Sequence, residues 1–79
     1  MKTIEIGTKV LVKAFPSDSF YKKAYAIITG ELKNGYYPAK AVIVMSRWDK
    51  TFEKHPSDNG CAISVKPENI EVVSEFPIV

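Results

Sequence analysis

The pair Asn34-Gly35 is the tightest local constraint in this chain. Both residues tolerate positive φ, which a two-residue hairpin turn requires of its central positions. An alternating apolar run lies on each side of it, at 24–32 and 37–45. In the first run, Ala24, Ala26, Ile28 and Leu32 share one face, and Tyr25, Ile27, Thr29 and Glu31 the other. Gly30 interrupts that alternation and marks a bulge or bend. The second run is too β-branched for a helix, and its Pro38 stands near the start, where a missing ladder donor is tolerated. The spacing predicts an antiparallel hairpin in the middle of the chain.

Three further strands follow from the same period of two. Residues 9–14 place Val10, Val12 and Ala14 on one face and Lys9, Leu11 and Lys13 on the other, until Phe15-Pro16-Ser17-Asp18-Ser19 breaks the pattern. Residues 61–65 and 70–73 are short apolar runs, joined by Lys66-Pro67-Glu68-Asn69 as a single 3-10 turn. The expected interior is Val10, Val12, Ala26, Ile28, Ala41, Ile43, Met45, Ile63, Val65, Ile70 and Val72. That phasing leaves Leu11, Ile27, Val42, Val44, Ala62 and Val73 pointing outward. Residues 46–60 form a polar segment that holds Trp48, Phe52 and His55 and ends in Ser57-Asp58-Asn59-Gly60. It is too long for a simple hairpin loop.

With 79 residues, 46% hydrophobic and 25% charged, the chain has the make-up of one small globular domain, 1–79, with its core in 7–73 and a tail at 74–79. Phe76, Ile78 and Val79 could dock that tail. So short a chain has little room for a core and an enclosed pocket together, which argues against a monomeric enzyme. No apolar run is long enough to span a membrane, and no apolar leader opens the sequence. One cysteine excludes an internal disulfide, and a free thiol without a leader points to the cytoplasm.

The layout resembles the SH3-like barrel over residues 7–73. The family-like portions are Gly7-Thr8-Lys9-Val10-Leu11-Val12 at the start and Ile63-Ser64-Val65-Lys66-Pro67-Glu68-Asn69-Ile70-Glu71-Val72-Val73 at the end. The resemblance implies an all-β fold of five strands with one 3-10 turn before the last. It implies an RT-type loop at 15–23, an n-Src-type turn at 33–36 and a distal-type loop at 46–60. Signalling SH3 domains carry an acidic RT loop and a pair of tryptophans; here the matching segment has one acid, Asp18, and the chain has one Trp.

No arrangement of residues points to catalysis. The chain lacks a Ser-His-Asp set and a glycine-rich phosphate loop. His55 and Cys61, near Asp49, Glu53 and Asp58, fall short of the regular Cys/His spacing of a zinc site. No cofactor and no metal are expected. Cys61 is in phase with Ile63 and Val65 and reads as a structural thiol.

The remaining features are those of a binding module. Val42 and Val44, adjacent on one strand face, form an outward apolar patch suited to self-association or a protein partner. Trp48, Phe52 and Tyr21 are the expected anchors of a protein partner, because aromatic side chains dominate interface energetics. Lys23, Arg47 and Lys50 would steer and orient it. The alternative is a nucleic-acid surface made from Lys22, Lys23, Lys33, Lys40, Arg47, Lys50 and Lys54 interleaved with Tyr21, Tyr36, Tyr37 and Trp48, although a net charge of +2 does not demand one.

Overall fold

The hairpin forms where the Asn-Gly pair places it. In the computed structural model, which describes residues 4–56 and 60–78, Asn34 and Gly35 have φ of 54° and 83°. The flanking residues Lys33 and Tyr36 exchange both backbone hydrogen bonds, at 2.8 and 3.0 Å. Two positive φ values in succession suit the turn to the right-handed twist of the strands it joins.

Among the described residues six strands result: β1 (Lys9–Val12), β2 (Tyr21–Ile28), β3 (Tyr37–Ser46), β4 (Glu53–Lys54), β5 (Cys61–Val65) and β6 (Ile70–Val72). A 3-10 turn at Pro67–Asn69 leads into β6. All the pairings are antiparallel, in the order β4-β3-β2-β1-β6, with β5 also on β3. The length of β3 lets it serve two partners along one edge: residues 37–41 pair with β5, and Ile43 and Val44 pair with β4. Among the described residues no ladder joins β5 to β6, so the sheet is open there. The Lys13 N–H donates to the Asn69 carbonyl at 2.7 Å and holds the 3-10 turn against the end of β1.

Val10, Val12, Ala26, Ile28, Tyr37, Ala39 and Val65 make one buried cluster, with Ile4, Phe15, Ile63 and Ile70 packed on it. Ala24, Ala41 and Val44 make a second, flanked by Phe15, Tyr21, Cys61 and Ile63. Small alanines at four interior positions let the strands coil closely about each other. The Tyr37 hydroxyl accepts a hydrogen bond from the Ile4 N–H at 3.1 Å, so this buried ring keeps a partner for its polar end.

The all-β class and the 3-10 turn agree with the sequence reading; the strand count and some of the facing do not. The sixth strand, β4, is two charged residues with no alternation to betray it. β2 begins at Tyr21 and ends at Ile28, so Gly30 lies in the bend beyond the strand rather than within it. The facing of β3 inverts partway. Tyr25 stands opposite Ile43, while the next residue, Ala26, stands opposite Ala41. Val42 is therefore the extra residue of a β-bulge, and one extra residue exchanges the faces of everything beyond it. Ile43 and Met45 go to the outer face and Val44 goes inside, where it is 7% exposed. Val72 does lie on the inner side, opposite fully buried Val10, but is 60% exposed because no further strand covers β6.

Candidate functional site

A second bulge shapes one end of the molecule. Between Tyr21 and Lys23 the register shifts again, with Lys22 as the extra residue. Tyr21 thereby returns to the inner side, against the Ala24, Ala41 and Val44 cluster. Phe15, at the start of the preceding loop, packs on both interior clusters, 6.3 Å ring to ring from Tyr21. Phe20 stands edge-on to Tyr21 with centroids 5.2 Å apart, and Trp48 stands at 66° to Phe20, again at 5.2 Å. These four rings form a ridge that starts in the core and runs out to solvent. Its outer members are 58% (Phe20) and 73% (Trp48) exposed.

The two loops that carry the ridge are tied together. The Arg47 N–H donates to the Phe20 carbonyl at 3.0 Å, and its guanidinium Nη2 donates to the Pro16 carbonyl at 3.1 Å. Within the first loop the Ser19 N–H donates to the Pro16 carbonyl at 2.9 Å, and the Tyr21 N–H to Ser19 Oγ at 3.2 Å. In the second, Ser46 Oγ donates to Asp49 Oδ2 at 2.7 Å. The exposed rings are thus held on hydrogen-bonded turns, which lowers the ordering cost of binding through them.

Beside the ridge opens a cleft of about 450 Å³. Its described walls are Lys13, Ala14, Phe15, Tyr21, Lys22 and Arg47, three cations around two rings. A neighbouring recess of about 330 Å³ runs between Phe15, Pro16, Tyr36, Val65 and Asn69.

The residues singled out from sequence separate into two groups. Trp48, Tyr21 and Arg47 come together at the ridge. Phe52 goes elsewhere: its ring lies 4.9 Å from Tyr25 on the outer face, where Phe76 from the C-terminal segment meets the same tyrosine at 5.8 Å. The Lys9 ammonium sits over Phe76 at 5.4 Å. Lys23 also lies on the outer face, opposite Met45, and Lys50 is exposed in its loop. Val42 is half-buried and Val44 is interior, so the two do not form an outward pair. Phe20, Phe15 and Lys13 complete the site and were not among the expected contacts; Lys22, expected only for a nucleic-acid surface, joins them. The available signal was the placement of Phe15 and Phe20-Tyr21 at either end of one short turn.

Among the described residues no group of three His, Cys, Asp or Glu side chains is placed to hold a metal ion. Asp58, with the rest of 57–59, lies outside the described residues, as does Val79. The His55 ring is 6.3 Å from Tyr21, and Cys61 is a half-buried free thiol against the second interior cluster. No described helix is long and apolar enough to cross a membrane. Comparison of the chain with protein-family models, with curated proteins and with solved structures finds no match.

Proposed function

We propose that this chain is a non-catalytic binding module, laid out as an SH3-like barrel, that docks on a protein partner through the ridge of Trp48, Phe20 and Tyr21. The strand order, with one long central strand and a 3-10 turn before the last strand, supports the SH3-like layout. One observation carries the functional reading: two large aromatic rings stand largely in solvent on loops that the chain has otherwise pinned. A folded chain that needed only to connect β3 to β5 would gain nothing from exposing an indole. Buried in a partner, the exposed parts of both rings would become contact area, and aromatic side chains are the class that supplies interface hot spots. Phe52 is outside this reading because its own sheet already packs against it.

A second reading, a nucleic-acid-binding barrel, draws on Lys13, Lys22 and Arg47 beside exposed rings. The two differ in salt response, since phosphate binding weakens steeply through counterion release. The test is affinity capture from a native lysate treated with nuclease, using the wild-type chain and the Trp48→Ala/Phe20→Ala variant. The expected result is one defined protein, retained after nuclease and held at least about tenfold more weakly by the variant, with unchanged circular dichroism. Equal retention by both chains would remove the ridge from the site. Loss of every partner on nuclease treatment would transfer the site to nucleic acid.

A further inference from the structure

We infer that the cleft beside the ridge receives a carboxylate side chain of the docked partner, so that the recognised segment is an acidic peptide with an apolar side chain next to its Asp or Glu. The inference rests on the ridge reading and adds the chemistry of what the ridge binds.

Lys13, Lys22 and Arg47 converge on one opening, and its described walls contain no acid. None of the three forms an ion pair with a described carboxylate. Among the described residues, therefore, no carboxylate neutralises their charge. The Arg47 fork is already oriented, because its Nη2 donates to the Pro16 carbonyl. A guanidinium has five N–H donors, so that bond fixes the group while leaving donors for a ligand oxygen. Phe15 and Tyr21 supply an apolar wall to the same opening. An acidic side chain entering here would keep its methylene stem on the rings and its oxygens among the cations. The neighbouring apolar side chain would then reach Phe20 and Trp48.

Two observations favour a peptide over a nucleic-acid strand. The Phe20 and Trp48 rings are tilted by 66° to each other, so successive parallel bases cannot stack across both. The ridge loops also carry acids, Asp18 near the turn after Pro16 and Asp49 beside Trp48, where Ser46 holds it in place. A polyanion tracking along these loops would leave the cationic cleft and meet like charge at once. An isolated carboxylate would not.

The experiment starts from a displayed library of random dodecapeptides panned on the full chain, followed by titration of the most enriched peptide, fluorescently labelled, by polarisation. The expected enrichment is Asp or Glu next to an aromatic or large aliphatic residue. Lys13→Ala/Lys22→Ala, which leaves the Arg47–Pro16 tie in place, should weaken that peptide at least about tenfold. The same variant should scarcely change binding of a version with Asn and Gln in place of Asp and Glu. A folding check by circular dichroism accompanies each variant. Enrichment of apolar residues without acids overturns the carboxylate site but leaves the ridge standing. Enrichment of no peptide, with binding of a fifteen-residue oligothymidylate, overturns both and supports nucleic acid. Enrichment of no peptide and no oligonucleotide binding also overturns both.

Discussion

Two aromatic clusters in this molecule draw on the same two segments, yet one is closed and the other open. The outer cluster takes Tyr25 from β2 and Phe52 from the loop after β3; the ridge takes Tyr21 from β2 and Trp48 from that same loop. What separates them is a third contributor. Phe76 comes from the C-terminal segment and covers the outer cluster, whereas the ridge gains Phe20, which is itself exposed. An aromatic residue in a long loop is thus not a binding residue by virtue of the loop. Its role depends on whether another part of the chain reaches it, and two side chains four positions apart meet opposite fates.

The most severe way to disturb that contrast is at the bulge that sets Ile43 opposite Tyr25 and Val44 in the cluster beside Tyr21. Val44→Lys should cost on the order of 3 kcal/mol or more, since it buries a charge without a partner. In so small a domain that is a large share of a total stability of roughly 4–12 kcal/mol. Val42→Lys, half-buried on the outer face, should cost under about 1 kcal/mol. Urea denaturation of both proteins decides the matter; the reverse order would mean that the bulge lies elsewhere and that Ile43 and Val44 exchange faces.

Gly60→Ala should come next. Gly60 has φ of 72°, and an added Cβ would meet the Ala41 carbonyl oxygen. The left-handed backbone alone disfavours alanine by about 1–2 kcal/mol, and the backbone clash adds to that. Because Gly60 ends the loop that carries both Trp48 and Phe52, both clusters should loosen together in this variant, seen as altered shifts for both sets of rings by NMR. Perturbation of the outer cluster alone would show that the ridge is held independently, by the Arg47 ties.

Smaller effects distinguish the clusters from each other. Phe76→Ala and Phe52→Ala should each cost about 1–2 kcal/mol, the value of a half-buried ring with one edge-on neighbour. Both act on Tyr25, so their combination should depart from additivity in a double-mutant cycle. Trp48→Ala should change stability by no more than about 0.5 kcal/mol. Trp48 is the only tryptophan, so its fluorescence reports on the ridge directly. Emission like that of an indole in water, readily quenched by acrylamide, is the expected result. A blue-shifted spectrum resistant to quenching would show that the chain covers the ridge, and the contrast between the clusters would vanish.

Local chemistry accounts for much of this fold. Asn34-Gly35 specifies its turn because few residue pairs accept two positive φ values in a row. Pro67-Glu68-Asn69 forms the 3-10 turn, and Cys61–Val65 forms a strand with the bounds that its alternation indicates. These features depend on neighbours in sequence, so the sequence displays them. The bulges at Val42 and Lys22 depend instead on how three strands share one long partner, and no residue at either position advertises an insertion. They alone decide that Val44 is interior, that Ile43, at 6% exposure, lies on the outer face across from Tyr25, and that Tyr21 turns back toward the core. Trp48, Tyr21 and Arg47 were legible as members of the candidate site because the loop segments carry few other large side chains of their kind. Phe20 and Lys13 joined them only through the folding of two distant loops onto one end of the sheet. Which aromatic stands in solvent and which is covered was decided by the reach of Phe76, a tertiary contact between the C-terminal segment and β2 that no local pattern encodes.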